Sequence, residues 1–239
     1  MEACNLQPLF IKRMKYMLGE ESSEFFSSFS KPPIIGLRVN TLKLSTESFL
    51  KISPFPLIPV QWCSSGFIVS SDYQPGKHPY HAAGLYYLQE PSAMAVAELL
   101  GPKPGERVLD LTAAPGGKAT HIAALMNNKG ILVANEVHPR RVWTLAENLE
   151  RFGVRNATIL NETPENLLNN FLSFFDRVLV DAPCTGEGMF RRSESARNDW
   201  SEQIIYGSAT RQLNILGSAA KLVRPEGFLV YSTCTFSPE

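Results

Sequence analysis

The two groups with the clearest chemical potential are Cys184 and Cys234, fifty positions apart. Each closes a run that is typical of a buried strand, Arg177–Asp181 for the first and Gly227–Ser232 for the second. If both strands lie in one parallel sheet, both thiols reach its carboxyl edge, where open α/β folds keep their active sites. A single cysteine is more typical of a core than of a site. The pairing at one edge, beside Asp181, indicates chemistry.

A pyrimidine ring is a substrate that needs such groups. Its carbon 5 is a poor nucleophile until a thiolate adds to carbon 6, after which carbon 5 can attack a methyl donor. Asp181, as a protonated acid or through a shared proton, can assist at ring nitrogen 3. A second thiol can then help elimination and product release.

A glycine-rich turn predicts the site of a nucleoside cofactor. The strand Arg107–Leu111 leads into Thr112–Lys118 and then a helix, so backbone N–H groups and small residues face a ligand. A phosphate-binding P-loop needs Gly where Thr112 stands and Ser or Thr where Ala119 stands, and the G-x-G-x-x-G fingerprint is absent. Glu136, after the second strand, can accept hydrogen bonds from both ribose hydroxyls, or it caps the next helix.

Composition indicates an ordinary globular protein. Of 239 residues, 44% are hydrophobic and 19% are charged, which excludes wholesale disorder, and no apolar run approaches a membrane span. The net charge is zero, so global electrostatics give no support to nucleic-acid binding. Four cysteines without close spacing indicate neither a disulfide framework nor a metal site. We expect a reducing, cytoplasmic setting and no membrane partner.

The chain divides into two predicted domains, an α+β domain with its linker at residues 1–104 and a Rossmann-like domain at residues 105–239. In the second, alternating apolar strands and helices predict an α/β, doubly wound, mostly parallel sheet. The predicted strands are Arg107–Leu111, Gly130–Asn135, Ala157–Leu160, Arg177–Asp181 and Gly227–Ser232, and the predicted helices are Lys118–Met126, Arg140–Phe152, Glu165–Phe171 and about 201–223.

The first domain has shorter elements. Its patterns predict helices at about Leu9–Leu18 and Ser22–Phe29 and strands at Ile35–Val39 and Gly66–Val69, separated by Pro-rich connections. A linking loop is predicted at Pro75–Tyr87, and a helix begins near Pro91. After Cys184, the glycines and the pair Arg191-Arg192 predict a flexible loop.

Three segments carry a resemblance to a known family: residues 109–118, 181–191 and 231–239. From about Leu6 to Glu239 the chain resembles the RNA (cytosine-5) methyltransferases, most closely their bacterial 16S ribosomal RNA branch, the RsmF-like proteins. The resemblance implies the fold of the S-adenosylmethionine-dependent methyltransferases, S-adenosyl-L-methionine as cofactor, and RNA, small-subunit ribosomal RNA above all, as substrate. The first domain would then help to place the RNA.

The resemblance also implies roles for individual residues. Cys234 is the nucleophile, Cys184 aids product release, and Asp181 contacts cofactor and base; by analogy with the DNA enzymes, Cys184 would attack instead. Lys118 is a further candidate for reaching the target base. The cofactor-binding residues implied are Thr112, Ala113, Ala114, Pro115, Gly116, Gly117, Lys118, Glu136, Thr163 and Asp181.

Three departures from the family pattern stand out. Thr112 replaces a usual Cys, and Thr163 stands where relatives often carry an adenine-contacting Asp, so that this contact can pass to Asn161 or Glu162. The family's last two strands and its RNA-binding extension are missing, which leaves an edge strand open. We therefore expect a C-terminal segment missing from this chain or a second chain.

Two other functional classes stay open at this point. The chain could be a non-catalytic RNA-binding or assembly protein with a methyltransferase fold. It could also methylate DNA or a small molecule, since the cofactor turn would be the same.

Overall fold

A computed structural model describes residues 6–239, in which helices and strands alternate from α5 to β8. The helices are α1 (Pro8–Leu18), α2 (Ser22–Ser28), α3 (Thr46–Ile52), α4 (Pro79–Ala82), α5 (Pro91–Leu100), α6 (Gly117–Leu125), α7 (Pro139–Phe152), α8 (Pro164–Phe171), α9 (Glu194–Asp199) and α10 (Glu202–Leu222). The strands are β1 (Ile35–Val39), β2 (Ile58–Val60), β3 (Cys63–Val69), β4 (Tyr86–Leu88), β5 (Arg107–Asp110), β6 (Ile131–Asn135), β7 (Ala157–Leu160), β8 (Phe175–Asp181) and β9 (Val223–Ser232).

The predicted parallel sheet is confirmed. Five strands pair in the order β7-β6-β5-β8-β9, and every pairing is parallel. Because β6 and β8 lie on opposite sides of β5, the order reverses at β5, and a ligand crevice is expected beyond its carboxyl end. The register of the last pair sets Asp181 opposite Ser232.

Alternation along the strands builds a core on each face of this sheet. Val108, Leu132 and Leu179 belong to one buried cluster, with α5, α6 and α7, whereas Leu109 and Val178 belong to the other, with α8 and α10. Successive strand residues point to opposite faces, which explains why the strands read as continuous apolar runs. This double burial fixes the register of the strands that end at the site.

A second sheet is antiparallel, with the order β2-β3-β1-β4. Its core contains Leu37, Phe49, Phe67 and Tyr86. The structure therefore adds β2 and β4 to the strands that the sequence predicts, and it extends β3 back to Cys63. These additions were missed because a three-residue strand carries too little pattern to be seen in sequence.

By contact, the chain divides into two compact units that interleave in sequence. One comprises the described residues up to Pro33 together with Pro183–Asn214 and Thr233–Glu239, and the other comprises Ile34–Ala182 with Ile215–Ser232. Both sheets lie in the second unit. The predicted boundary between an N-terminal and a catalytic domain at residues 104 and 105 stays a prediction.

The smaller unit has an aromatic core of its own. Phe10 of α1 contacts Phe190 and Trp200, with ring centroids 5.0 and 5.5 Å apart, and Met14 and Ile205 complete the buried cluster. The predicted helix at Leu9–Leu18 is confirmed, and its apolar face now has identified partners.

Two predictions on local structure were wrong, and one helix was not predicted. The predicted connection after β1 contains α3, which begins where the Ser45 hydroxyl accepts a hydrogen bond from the N–H of Ser48 at 3.1 Å. The predicted linking loop at Pro75–Tyr87 contains α4 and the start of β4. The helix that was not predicted is α9, which begins after the loop that ends at Arg191-Arg192 and whose N-terminus is capped by Ser193. In each case a polar cap or one buried contact supports an element too short for a periodic pattern.

No helix in the described part of the chain has the length and apolar character that crossing a bilayer requires.

Gly36 offers a test of the packing between β1, β4 and α5. A Cβ atom there would lie 2.0 Å from the Gln89 carbonyl oxygen and 2.9 Å from Pro91 Cδ. We expect Gly36→Ala to lower the free energy of unfolding by about 2 kcal/mol or more, because backbone must move. Urea titration followed by circular dichroism measures this.

The matched control is Gly207→Ala, in the middle of α10, where an added Cβ meets nothing within 4 Å. It should raise stability by about 0.5–1 kcal/mol, since Ala favours a helix over Gly. Equal stabilities for the two variants would contradict the assigned packing of Gly36.

Candidate active site

The glycine-rich turn lies at the crevice that the strand order predicts. It follows β5 and leads into α6, with Gly116 at φ +111°, a left-handed conformation that favours glycine. A cavity of about 160 Å³ opens there. Its lining comprises Tyr87, Gln89, Ala93, Thr112, Ala113, Ala114, Pro115, Gly117, Lys118 and Asp181.

Asp181 is held from three sides at the end of β8. Lys118 Nζ lies 2.5 Å from its Oδ2, and the Ser232 hydroxyl donates to its Oδ1 at 2.7 Å. The Thr112 hydroxyl donates to the Asp181 carbonyl at 2.9 Å and accepts from its N–H at 3.1 Å. The Thr112 side chain therefore links the glycine-rich turn to β8 by hydrogen bonds to the backbone of Asp181.

Glu136 directly follows β6 but does not line this cavity. Its side chain is almost fully buried; Oε1 accepts from the N–H of His138 at 2.9 Å, and Oε2 lies 3.3 Å from Arg141 Nη1. Arg141 also donates to the Ala114 carbonyl at 2.6 Å. A ribose at Glu136 would therefore share the carboxylate with Arg141 or displace it.

The residues proposed for adenine have other partners. Thr163 caps α8, its hydroxyl accepting from the N–H of Asn166 at 3.3 Å. Asn161 donates to the carbonyls of Glu136 and Val137, at 2.6 and 3.0 Å. Glu162 accepts from the Asn166 amide at 3.1 Å. Of the three, Asn161 is the one that touches the segment after β6, and adenine contact by any of them stays a prediction.

Arg38 is a site residue that sequence reasoning missed. Its guanidinium, 1% exposed, donates to Gln89 Oε1 at 2.9 Å, to the Gly117 carbonyl at 3.0 Å and to the Thr120 hydroxyl at 2.8 Å. Burial lowers the pKa of Arg38 to about 10. It ties β1 to the cavity wall and to the first turn of α6, a link that no local pattern reveals.

Asp110, the last residue of β5, is a second group that sequence reasoning missed. It is fully buried, and neither of its oxygens accepts a hydrogen bond of good geometry from a described residue. Burial raises the pKa of Asp110 to about 7, with Lys118 opposing the shift. An orphaned buried carboxyl directly before the turn, together with the open helix N-terminus and the adjoining cavity, fits a site that holds a polar ligand with a cationic group.

The two cysteines come together in the smaller unit. Cys184 Sγ and Cys234 Sγ are 3.3 Å apart, a hydrogen-bond contact well beyond the ~2.05 Å of a disulfide. This contact is the main cause that lowers the pKa of Cys184 to about 7, whereas burial opposes the shift. The pair therefore loses its first proton near neutral pH, as an activated thiol requires. A cleft of about 360 Å³ borders Cys184.

A group of metal-ligand types occurs elsewhere, at Cys63, Glu98 and His121. His121 Nε2 lies 3.1 Å from Glu98 Oε1 and 3.9 Å from Cys63 Sγ. If a metal bound Nε2, the remaining ring proton of His121 would be on Nδ1. Histidines that bind metals almost always donate this proton to an acceptor. Nδ1 of His121 is buried and has no acceptor among the described residues. Buried Arg38 adds a nearby positive charge. We interpret this group as a neutral histidine hydrogen-bonded to Glu98.

Comparison with known proteins now gives the family. A family model described as 16S rRNA methyltransferase RsmB/F matches residues 97–239, and one described as the N-terminal domain of 16S rRNA methyltransferase RsmF matches residues 6–91. The chain belongs to the RsmB/F methyltransferase family. The resemblance seen in the sequence is thereby confirmed, and so is the methyltransferase class of the fold.

Individual relatives agree with this assignment. The ribosomal RNA small subunit methyltransferase F of Vibrio vulnificus (strain YJ016) is 42% identical over 98% of this chain and 52% of the relative. That of Erwinia tasmaniensis is 39% identical over 96% of this chain and 50% of the relative. The chain thus spans about half the length of the curated relatives it matches.

A solved structure shares the whole described architecture. A methyltransferase homologue from Pyrococcus horikoshii superposes with a TM-score of 0.85 at 33% identity, covering 98% of this chain and 75% of that one.

The buried carboxyl of Asp110 predicts a pH dependence of stability. Its pKa is about 7 when folded and near 4 when unfolded, so the folded chain holds an extra proton between these values. Stability from this group therefore falls as pH rises from 4 to 7 and is constant above 7. Asn cannot ionise, so the stability of Asp110→Asn relative to the unchanged protein should increase over this window.

Urea unfolding at pH 5, 6, 7 and 8 measures the effect, which is on the order of 1 kcal/mol for each pH unit up to 7. Glu165→Gln, at an exposed position in the first turn of α8, is the control and should show no such trend. A difference for Asp110→Asn that stays constant from pH 5 to 8 would contradict the raised pKa.

Proposed function

We propose that this chain, in the cytoplasm, methylates carbon 5 of a cytosine in small-subunit ribosomal RNA, through a covalent bond between the base and Cys234. The observation that carries the proposal is the thiol pair, with its 3.3 Å contact and the pKa of Cys184 near 7. The family assignment and the cavity at the glycine-rich turn support it. The assignment of attack to Cys234 and of release to Cys184 rests on the resemblance to the family.

The cofactor would be S-adenosyl-L-methionine, which supplies an electrophilic methyl group. The residues that would hold it are those that line the cavity from Thr112 to Lys118. Glu136 would accept hydrogen bonds from its ribose, and the buried carboxyl of Asp110 would favour its cationic group through charge. The open N–H groups of α6 favour an anionic group such as a carboxylate. Gly117 lets the Tyr87 ring pack against the turn, since a Cβ there would lie 3.2 Å from that ring.

The thiols would act in sequence on the base. The Cys234 thiolate adds to carbon 6, so that the electron pair of the ring double bond moves to carbon 5, which takes the methyl group. Cys184 then removes the proton from carbon 5, the electron pair returns to the ring, and the carbon–sulfur bond to Cys234 breaks. The target base must leave its stack to expose carbon 6, and the cleft beside Cys184 offers space for a ring.

The ion pair between Lys118 and Asp181 would stabilise the polarised ring. Addition at carbon 6 increases negative charge on ring nitrogen 3 and the exocyclic groups, and a cation beside a carboxylate can share a proton with them. Asp181 precedes Cys184 by three residues, and Ser232, its hydrogen-bond partner, precedes Cys234 by two.

Transfer of a tritiated methyl group from S-adenosylmethionine to small-subunit RNA tests the proposal. Activity on this RNA, with none on duplex DNA, is the expected result. RNA and cofactor binding without transfer at any protein concentration would instead support the non-catalytic, scaffold function.

Replacing the thiols separately should separate their roles. Cys184→Ala should form the bond to RNA but fail to release it, and the adduct should migrate slowly in a denaturing gel. Cys234→Ala should give neither adduct nor product. Cys63→Ala, at the buried cysteine of β3, is the control and should keep turnover. An adduct in the Cys234 variant would reverse the two roles.

Glu136→Gln tests the ribose contact. A carboxylate that accepts hydrogen bonds from a ribose contributes more than a neutral amide, so binding of S-adenosylhomocysteine should weaken about tenfold or more. Isothermal titration calorimetry measures the dissociation constant. Glu147→Gln, exposed on neighbouring α7, should bind as the unchanged protein does. Equal affinities for both variants would remove Glu136 from the cofactor site.

A further inference from the structure

Glu187 is a charged residue buried beside the thiol pair. It lies three residues after Cys184, and its side chain is 1% exposed. A buried carboxylate costs several kcal/mol unless hydrogen bonds compensate it. Neither the cofactor cavity nor the proposed chemistry of the thiols accounts for its presence.

Hydrogen bonds to Glu187 come from two distant parts of the sequence. Its Oε1 accepts from Trp200 Nε1 and from the Ser237 hydroxyl, both at 2.9 Å. Trp200 is 2% exposed and belongs to the aromatic core of the smaller unit, whereas Ser237 follows Cys234 by three residues. One carboxylate oxygen therefore joins the loop after Cys184, the core and the segment after Cys234.

Two threonines reinforce this link. The hydroxyls of Thr185 and Thr235, each directly after a cysteine, are 3.1 Å apart. Burial raises the pKa of Glu187, but Thr235, Thr185 and Trp200 together outweigh it and leave the pKa below its usual value. Neither hydroxyl reaches Oε2 with the geometry of a full hydrogen bond. The carboxylate is thus charged and is stabilised by groups adjacent to both thiols.

The backbone completes the arrangement. The N–H of Gly188 donates to the Cys234 carbonyl at 2.8 Å, and a Cβ at Gly188 would lie 3.0 Å from that oxygen. The two cysteine segments therefore approach each other as closely as backbones allow, directly beside Glu187.

We propose that Glu187 is the positioning residue of the thiol pair: its buried carboxylate fastens the loop of Cys184 to the segment of Cys234 and keeps the two sulfurs in hydrogen-bond contact. The role of this pair in catalysis rests on the proposed function, but the geometry does not. Glu187 acts through the thiols and needs no contact with the base.

The charge of Glu187 also acts directly on the pKa of Cys184, in the direction opposite to the effect of the hydrogen-bonded link. A carboxylate repels a neighbouring thiolate, and Glu187 opposes the lowering of the Cys184 pKa. Other charged groups nearby include Asp199, which lines the cleft beside Cys184, and Glu239, which also feels the charge of Glu187. Arg13 pairs with Glu239 at 2.7 Å and with Glu202 at 3.5 Å. Substitutions at Glu187 can therefore separate the effect of its hydrogen bonds on the pKa of Cys184 from the effect of its charge.

The rate of alkylation of Cys184 by iodoacetamide, followed by mass spectrometry from pH 5 to 10, is the test. Glu187→Gln keeps an oxygen for Trp200 and Ser237 but removes the charge, so the midpoint should fall from about 7 by about one unit or less. Glu187→Ala removes the link, the sulfurs separate, and the midpoint should rise towards the ~8.5 of an ordinary thiol. Glu194→Gln, exposed in α9, should leave the midpoint unchanged.

Methyl transfer gives a parallel readout. Glu187→Gln should retain kcat within a fewfold, Glu187→Ala should lose it at least tenfold, and both should keep the KM for the cofactor. The proposal is overturned if the midpoint of Cys184 alkylation is unchanged in both Glu187 variants, or if it rises in both. If the Ala variant does not fold, Ser237→Ala takes its place: it removes one hydrogen bond to Glu187 but keeps the charge, and the midpoint should rise. Since alkylation requires no RNA, a failure of the proposed function leaves this test intact.

Discussion

The parallel pairing of β8 with β9 is the constraint on which the candidate site depends. Its register places Asp181 opposite Ser232, and their side chains form a 2.7 Å hydrogen bond at the carboxyl edge. Each strand is buried on both faces by alternating core residues. If the strand pairing shifted by one residue, Val178 and Leu179 would each point to the other face of the sheet, away from the buried clusters that they now join. Because the cysteines follow these strands by only two or three residues, the register of the sheet determines which residues leave the edge together.

Buried ionisable side chains lie beside both the glycine-rich turn and the cysteine pair. In the larger unit, Arg38 reaches from the antiparallel sheet to Gln89 and the first turn of α6, and Asp110 lies beneath the glycine-rich turn. In the smaller unit, Glu187 joins the two cysteine segments. Each of these groups costs desolvation, and each has hydrogen-bond partners or charged neighbours that specify one arrangement. Buried polar groups therefore hold the turn and the two cysteine segments in one arrangement.

The sequence alone revealed the parts that local pattern encodes. Apolar strands alternating with helices predicted the parallel sheet, and the turn at Thr112–Lys118 predicted the crevice. The sequence did not reveal α3, β4 or α9, since these elements depend on a cap or on burial against distant residues. Nor did it reveal that Asp110 and Arg38 are fully buried, because burial of a charge is a property of the packed core. Nor did the sequence reveal that Thr163 caps α8, and its predicted contact with adenine stays a prediction.

The interleaved smaller unit has a consequence for how the chain acquires its structure during synthesis. Phe10 meets Phe190, Gln7 donates to Arg197 across 190 positions, and Arg13 pairs with Glu239 across 226. At translation rates of 5–20 residues per second, α1 therefore waits on the order of ten seconds or more before its packing partners leave the ribosome. During that interval its apolar face, with Phe10 and Met14, is open to chaperones, and loop-closure entropy over such spans slows the final association. The thiol site, built from segments about 170 or more positions after α1, therefore forms only after that interval.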